Sequence, residues 1–164
     1  MDEKAKISTA KDASDHELVV AFGRLQGAAN RLEYIVGRAL EQECGISHLM
    51  FEVLLILGRV GDPGLSMRAI AQEQVLTTGG ATRLVDRMEA AGLVERTEDP
   101  EDRRGRLVRL TPTGERTTVK AARFHVENLR QYFLEPLPPT HRDQFAEDLR
   151  TLSHAARGAL PRLP

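Results

Sequence analysis

The chain of 164 residues contains a single cysteine, Cys44, and no tryptophan. One cysteine cannot form an intramolecular disulfide framework or a zinc cage of several thiolates, so it is either a buried thiol or a reactive one. No uninterrupted apolar stretch approaches the roughly 20 residues needed to cross a bilayer. The segment from Met1 to Lys11 lacks the apolar centre of a secretion signal, so we expect a cytoplasmic protein that does not enter membranes.

The chain also lacks an excess of charge of either sign. Its formal net charge is -1, with 23 Lys and Arg against 24 Asp and Glu. Domains that bind nucleic acids usually have a strong excess of Lys and Arg, so the average argues mildly against such a partner. Basic residues need only cluster where phosphates lie, however. The local pattern must therefore decide.

Signatures of catalysis are missing as well. The only pair of adjacent glycines, Gly79 and Gly80, is not followed by the Lys-Ser/Thr of a phosphate-binding loop. No nucleophile with a base and no carboxylate pair stands out, so we expect neither an enzyme nor a cofactor. Cys44 and His48 have the i, i+4 spacing of a zinc ligand pair, but Gly45 interrupts the helix between them and the other histidines are scattered. We expect no metal.

Long amphipathic helices are predicted at both ends of the chain. The first runs from Asp15 to Glu43, about 40 Å, which is more than a small domain needs to cover its own core. A second begins after Thr111, with Pro112 in its first turn, and reaches about Leu134, and a last one spans roughly Thr140 to Ala159. Apolar or small residues recur at spacings of three and four in the first two of them: Leu18, Phe22, Leu25, Ala29, Leu32, Val36 and Ala39, then Val119, Ala122, Val126, Leu129 and Phe133.

Shorter elements lie between the long helices. Gly45 and Ser47 predict a helix end and a helix start, and a short helix follows from Ser66 to about Gln74. Thr77 is expected to cap the next helix, which buries a stripe made of Ala81, Leu84, Val85 and Met88 and ends at Gly92. Two strands, 93–97 and 106–110, then form a hairpin with a charged tip.

The free face of the helix after Thr77 has the chemistry of a major-groove reader. Hydroxyls of Thr78 and Thr82 lie there with Arg83 and Arg87, which are four residues apart, so one can bind guanine while the other holds a phosphate. Thr77, Thr78 and the glycines Gly79 and Gly80 leave backbone N–H groups open to phosphate oxygens at the positive end of the helix dipole. Arg103 and Arg104 in the hairpin turn could enter a minor groove.

Two alternatives stay open at this point. Arg83 and Arg87 could instead pair with Asp86 or Glu89 on a solvated surface, and the hairpin tip could be a soluble loop. A helix pair with a hairpin could also serve protein contacts. From Ser66 to Arg116 nine arginines face nine acidic residues, so this region is neutral and only its arrangement can be basic.

Residues Leu65 to Glu115 resemble the DNA-binding core of the MarR family of bacterial regulators. The segment from Leu76 to Arg96 is similar to the family's recognition helix and first wing strand. The segment from Asp99 to Gly114 resembles its wing, in which an aspartate, an arginine two residues on and a downstream Leu-Thr recur, here Asp102, Arg104, Leu110 and Thr111. The order of helices from Asp15 to Ala159 also agrees, so the resemblance covers nearly the whole chain.

The resemblance implies a mainly α, single-domain winged helix-turn-helix protein with a two-stranded wing. Residues 1–14 would form a flexible arm, 15–46 and 112–160 an all-helical dimerisation region, and 47–111 the DNA-binding lobe. By this likeness the protein would be a homodimer that binds double-stranded DNA. It would bind a pseudo-palindromic operator with half-sites about 10 base pairs apart, usually as a repressor.

Members of the family often lose DNA affinity when a small aromatic or phenolic molecule binds between the dimer helices and the DNA-binding lobe. By that likeness the candidate effector residues are Phe22, Asn30, His48 and Phe51, although a phenylalanine at helical spacing is more often part of a core. An alternative sensor is Cys44, by oxidation. The reactive cysteine of redox-sensing relatives lies near the start of the first helix, however, whereas Cys44 lies at its end.

Overall fold

The structure is a computed structural model that describes residues 7–100, 102 and 105–160. It is mostly helical with a small antiparallel sheet, as expected from the sequence. The helices are α1 (Ala10–Asp15), α2 (Glu17–Cys44), α3 (His48–Val60), α4 (Met67–Glu73), α5 (Thr78–Ala90), α6 (Pro112–Leu129) and α7 (Arg142–Ala159); the strands are β1 (Leu65–Ser66), β2 (Val94–Glu98) and β3 (Arg106–Leu110). A π-helical turn, Arg130–Leu134, continues α6, and a 3-10 turn, Pro139–His141, precedes α7.

Short polar side chains set the helix starts. The hydroxyl oxygens of Ser47, Thr77 and Thr111 accept the N–H three residues on, as predicted, and Ser66 caps α4 in the same way. Such caps satisfy N–H groups that have no partner inside the helix. Gly45 ends α2 as predicted: its φ is 70° and its N–H donates to the Glu41 carbonyl at 3.1 Å.

The hydrophobic core lies where α3, α4 and α5 pack against the sheet and the middle of α6. Its most fully buried large side chains are Phe51, Leu40, Leu54, Leu57, Ile70, Leu84, Met88, Val53, Val85, Val94 and Val108. The predicted stripe on α5 is confirmed, because all four of its residues are buried. The two buried residues of α2 are Val36 and Leu40, which both lie in the last third of the helix. Only that end of α2 is therefore covered by the rest of the chain.

The sheet has three strands in the order β1-β3-β2, not the two of the predicted wing. Leu65 pairs with Val108 and Ser66 with Leu107, both antiparallel. The additional strand was missed because two residues are too few for an alternating pattern to be recognised. It ties the start of α4 to β3, so the wing is attached to the helical lobe on two sides.

The N-terminal segment 1–14, predicted as a flexible arm, contains a short helix in the part that the structure describes. Residues Ala10 to Asp15 form α1, because Thr9 and Asp12 make a reciprocal capping box: the Thr9 hydroxyl accepts from the Asp12 N–H, and the Asp12 carboxylate accepts from the Thr9 N–H. None of the residues of α1 is buried. This helix is therefore a local structure without a core contact of its own.

Apolar side chains along α2 and α6 remain exposed in the isolated chain. Leu18 has 73% and Phe22 59% of its surface exposed, and Val119 and Val126 on α6 are also exposed. Half of the twelve residues in the two predicted patterns are exposed, and Val36 is the one that is fully buried. None of the helices among the described residues combines the length and the hydropathy needed to span a bilayer.

Gly114 in the first turn of α6 packs directly on the backbone that leads into β2. A Cβ added there would lie 1.9 Å from the Leu93 carbonyl oxygen, whereas one added to the exposed Gly158 of α7 would meet nothing within 4 Å. The neighbouring Thr111 hydroxyl donates to the Gly92 carbonyl at 2.6 Å, which fixes the same approach. A side chain at position 114 therefore does not fit unless the backbone shifts.

We predict that Gly114→Ala lowers the free energy of unfolding by about 3 kcal/mol, because overpacking against backbone cannot be relieved by a side-chain rotation. Chemical denaturation measures the change. The control, Gly158→Ala, should leave stability unchanged or raise it slightly, since alanine favours a helix. Equal stability of the two variants would contradict the prediction.

Candidate nucleic-acid interface

Helix α5 is held on one side and free on the other. Ala81, Leu84, Val85 and Met88 are buried in the core. The opposite side of the helix carries exposed residues, which include the predicted base and phosphate contacts Thr78, Thr82, Arg83 and Arg87. The structure thus brings these four predicted residues onto one open surface, formed by a helix whose position is fixed by its buried stripe.

The start of α5 uses one of the backbone donors that the sequence left open. The Gly80 N–H donates to the Thr77 hydroxyl oxygen at 3.2 Å, so this N–H is not free for a phosphate. The first N–H groups of the helix, those of Thr78 and Gly79, have no acceptor within the helix. A Cβ at Gly79 would meet nothing within 4 Å, which leaves room for close approach of a ligand. Thr82 donates its hydroxyl proton to the Thr78 carbonyl at 2.9 Å.

The two acidic residues of α5 are bound by an arginine from the wing. Arg96 on β2 lies 2.5 Å from the Asp86 carboxylate through Nη2 and contacts Glu89 through Nη1. Its backbone N–H also donates to Glu89 Oε1 at 3.2 Å. The hydrogen bond that Arg96 donates to the Asp86 carboxylate raises the pKa of Arg96 above its ordinary value, and the negative charge of Glu89 adds to that effect. The guanidinium is therefore a permanent cation between two carboxylates.

Arg83 and Arg87 have no ion pair within the described part of the chain. The alternative in which they pair with Asp86 or Glu89 is not what the structure shows, because Arg96 binds both of those carboxylates. Sequence reasoning missed Arg96: it follows Asp86 by ten residues and Glu89 by seven, and such spacings carry no signal until the helix and the strand are packed together. Two exposed cations on α5 are the result.

The wing is a regular ribbon up to its tip. Strands β2 and β3 pair from Val94 opposite Leu110 to Glu98 opposite Arg106. The Gly105 N–H donates to the Asp102 carbonyl at 2.8 Å at the tip. Arg103 and Arg104, the predicted minor-groove residues, lie outside the described residues, so their role stays a prediction.

The candidate effector residues fall in two places. Phe22 and Asn30 are exposed on α2, whereas His48 and Phe51 lie on α3, where His48 contacts Glu33 of α2. Along α2, Phe22 lies about 16 Å from Glu33, since each helical residue rises 1.5 Å. Phe22 is therefore remote from the other three candidates within one chain, whereas Asn30 lies only three residues before Glu33, the residue that His48 contacts. A surface cleft of about 440 Å³ between the ends of α3 and β3 and the start of α6 contains none of them.

A cluster of ionisable rings joins the first long helix to α3 and α6. His48 contacts Glu33 through Nδ1 and lies 3.4 Å from Glu52 through Nε2. The ring of His125 on α6 is centred 5.3 Å from that of His48 and 5.0 Å from that of Phe51. Phe51 is only 1% exposed, so a ligand could reach it only if this packing opened. His125 was not singled out by its sequence context, because a lone histidine in a helix carries no pattern.

Cys44 is the last residue of α2 and packs partly buried against the core. No group of three His, Cys, Asp or Glu residues that could hold a metal ion occurs among the described residues. The zinc pair considered for Cys44 and His48 has no third ligand in that range, and His48 is instead occupied by carboxylates. The oxidation-sensing alternative for Cys44 finds no support in the fold or in the similar proteins.

Sequence comparison finds a match to the MarR family model over residues 38–105. The transcriptional regulator HosA of Escherichia coli O111:H- is 31% identical over 93 residues, which are 57% of this chain and 68% of HosA. The HTH-type transcriptional regulator PapX of Escherichia coli is 39% identical over 70 residues, 43% of each chain. The chain thus spans less than half of PapX, and 65% of the next relative, YsmB of Bacillus subtilis.

Solved structures agree over a longer range. Sco3205, a MarR family transcriptional regulator from Streptomyces coelicolor solved in complex with DNA, has a TM-score of 0.77 and 26% identity, and the match covers 98% of this chain and 94% of that one. CouR from Rhodococcus jostii RHA1, bound to p-coumaroyl-CoA, has a TM-score of 0.66 and 28% identity over 84% of this chain and 92% of CouR. The similarity therefore includes the long terminal helices as well as the winged lobe.

We predict that the stability of the protein falls as the pH drops below about 6.5. Burial, together with the charge of His48, lowers the pKa of His125 from its ordinary 6.5, whereas Glu33 acts in the opposite direction. The unfolded chain therefore takes up a proton on His125 at a higher pH than the folded chain does. The free energy of unfolding is highest above 6.5 and decreases as the pH falls toward the lowered pKa.

Denaturation curves recorded at a series of pH values measure this dependence. His125→Gln should weaken it, because glutamine does not titrate, and His154→Gln on the exposed face of α7 is the matched control that should leave it intact. A pH dependence of the same size in the wild type and in His125→Gln would show that another group is responsible.

Proposed function

The chain belongs to the MarR family, and on that premise we propose that it is a sequence-specific DNA-binding transcription regulator that inserts α5 into the major groove. The observation that carries the proposal is the pair of exposed arginines on α5, Arg83 and Arg87, which make no ion pair among the described residues although two carboxylates lie on the same helix. A helix supported by a packed lobe, with free cations and hydroxyls outward, fits the width of that groove.

Contacts within this interface divide by chemistry. Arg83 or Arg87 can make a forked hydrogen-bond pair to the O6 and N7 atoms of guanine, and the other can bind a phosphate. The free N–H groups at the start of α5, with the Thr78 hydroxyl, are suited to a phosphate oxygen. Arg103 and Arg104 are proposed to enter the adjacent minor groove, as arginines of a β-ribbon tip commonly do where that groove is narrow.

The operator-binding unit is proposed to be a homodimer. The exposed apolar side chains of α2 form a face with no partner in the described chain, and α6 adds Val119 and Val126. A two-fold dimer places two copies of α5 on one side of a duplex, about one helical turn apart, so the operator would be pseudo-palindromic. Binding of this kind over a promoter acts by occlusion, which favours a repressor.

Control by a small molecule is the finer part of the proposal. CouR, which is similar to this chain over most of its length, was solved with p-coumaroyl-CoA. In this chain α2, α3 and α6 meet at His48, Phe51 and His125, and any molecule that separated these helices would move α3 relative to the long helices. A small aromatic or phenolic effector that does so would change the spacing of the two copies of α5.

We predict that Arg83→Ala and Arg87→Ala each weaken binding to the operator by about 1–3 kcal/mol. The variant that loses a base contact should also relax sequence preference, and the one that loses a phosphate contact should reduce the slope of log K against log salt by about 1. Fluorescence anisotropy with a duplex that the wild type selects from a random pool measures both effects.

The control for these variants is Arg150→Ala on α7, which removes an exposed arginine that pairs with Glu147 on its own helix. It should bind the duplex like the wild type. If operator binding survived in both α5 variants, the winged lobe would instead be a protein-contact module.

We predict that the double variant Leu18→Asp/Phe22→Asp weakens self-association at least about a hundredfold, because two apolar side chains contribute roughly 1.5 kcal/mol or more each when buried in an interface. Sedimentation equilibrium measures the dissociation constant. The control, Val75→Asp, changes an equally exposed valine between α4 and α5 and should leave the dimer intact. A wild type that sediments as a monomer at all concentrations would exclude the dimer.

A further inference from the structure

Helix α5 carries equal numbers of opposite charges, two arginines and two carboxylates. A helix whose side-chain charges cancel gains little attraction from them to DNA, whose backbone carries a negative charge about every 1.7 Å along the axis. The acidic and the basic residues of α5 differ, however, in whether they form ion pairs. Asp86 and Glu89 are bound by Arg96, and Arg83 and Arg87 have no ion pair within the residues that the structure describes.

We propose that Arg96 is a positioning residue for DNA binding: by holding Asp86 and Glu89 it keeps Arg83 and Arg87 free for DNA. The proposal rests on the proposed function, since it assigns a role in operator binding. Arg96 itself need not touch DNA in this role. Its side chain is only 24% exposed and both terminal nitrogens are directed at carboxylates of the protein.

Helix geometry shows where the carboxylates would go without Arg96. Asp86 lies three residues after Arg83, a spacing at which side chains on a helix surface meet. Once released, Asp86 can therefore pair with Arg83 and compete with DNA for it. Glu89 lies two residues after Arg87, where it cannot form such a pair but adds an uncompensated negative charge near the phosphates. Loss of one wing arginine thus turns the helix surface from net positive to neutral.

Arg96 also connects the helix to the wing. It lies on β2 opposite Val108 of β3, and both its guanidinium and its backbone N–H bind residues of α5. A planar guanidinium that binds two carboxylates and is partly buried is better ordered than an isolated surface pair. The pairing of β1 with β3 also attaches the wing to the lobe, so the Arg96 contact adds order at this junction without being the only link that orients the wing.

A second wing arginine provides a matched comparison. Arg109 on β3 also binds two carboxylates, Glu95 at 2.9 Å and Asp62 at 3.6 Å, but neither of them lies on α5. Like Arg96, it is an arginine on a strand of the wing that binds two carboxylates. It differs in having no contact with the groove-binding helix, so it separates a general effect of losing a wing ion pair from the specific role of Arg96.

The test is a charge-rescue cycle with the duplex that the wild type selects from a random pool. Arg96→Ala should bind roughly tenfold more weakly than the wild type. Asp86→Asn/Glu89→Gln should bind at least as tightly as the wild type, because the carboxylates that Arg96 restrains are gone. The triple variant, which combines all three changes, should bind within about threefold of Asp86→Asn/Glu89→Gln. Arg109→Ala should bind like the wild type.

Three outcomes would overturn the proposal. If Arg96→Ala binds like the wild type, the restraint is not needed. If the triple variant stays as weak as Arg96→Ala, and the slope of log K against log salt drops by about 1, Arg96 contacts a phosphate itself. If Asp86→Asn/Glu89→Gln binds the duplex tenfold more weakly than the wild type, the carboxylates contribute to DNA binding directly. This measurement does not require Arg96→Ala to fold. A wild type that selects no duplex would instead reject the proposed function.

Discussion

The burial of one face of α5 is the constraint on which the rest of the structure depends. Ala81, Leu84, Val85 and Met88 occupy a single stripe because a helix turns 100° per residue, and burying that stripe leaves Arg83 and Arg87 on the opposite side. Helices α3 and α4 and the strands complete the core around the stripe. The outward face of α5 is therefore not free to rotate, and a rigid helix can present the same groups to a groove in every copy of the protein.

The distribution of charge on the surface of the winged lobe depends on which residues form ion pairs, and not on the net charge. The acidic residues of β2 and of α5 are held by neighbouring arginines: Asp86 and Glu89 by Arg96, Glu95 by Arg109, and Glu98 by Arg106 at 3.3 Å. Such pairs contribute little stability at a surface. Their consequence is the local arrangement of charge, because on α5 they leave Arg83 and Arg87 as exposed cations with no ion pair among the described residues. A formal charge of -1 for the whole chain is compatible with that arrangement.

Polar contacts add to the apolar packing of Leu40 and Ala121 that joins the long helices to the winged lobe. Arg157 on α7 contacts Glu73 on α4, and His48 on α3 contacts Glu33 on α2. Lys120 on α6 donates to the Glu43 carbonyl at the end of α2 at 3.1 Å, which joins the two long helices to each other. Polar contacts of this kind are sensitive to protonation and to bound molecules. The junction at His125 adds a buried base whose pKa is lowered by its surroundings.

The sequence by itself determined the local structure and the surface of α5. Hydroxyl caps at Ser47, Thr77 and Thr111 and the stripe on α5 depend on residues three or four apart, so they could be predicted from spacing alone. Only the tertiary structure decided which carboxylates are restrained, because Arg96 and Asp86 are ten residues apart and meet only when the strand packs on the helix. The same holds for the two-residue strand β1 and for the contact between His48 and His125, which lie on different helices. Contacts between residues far apart in the sequence depend on how the helices and strands pack together, and the spacing of neighbouring residues does not predict that packing.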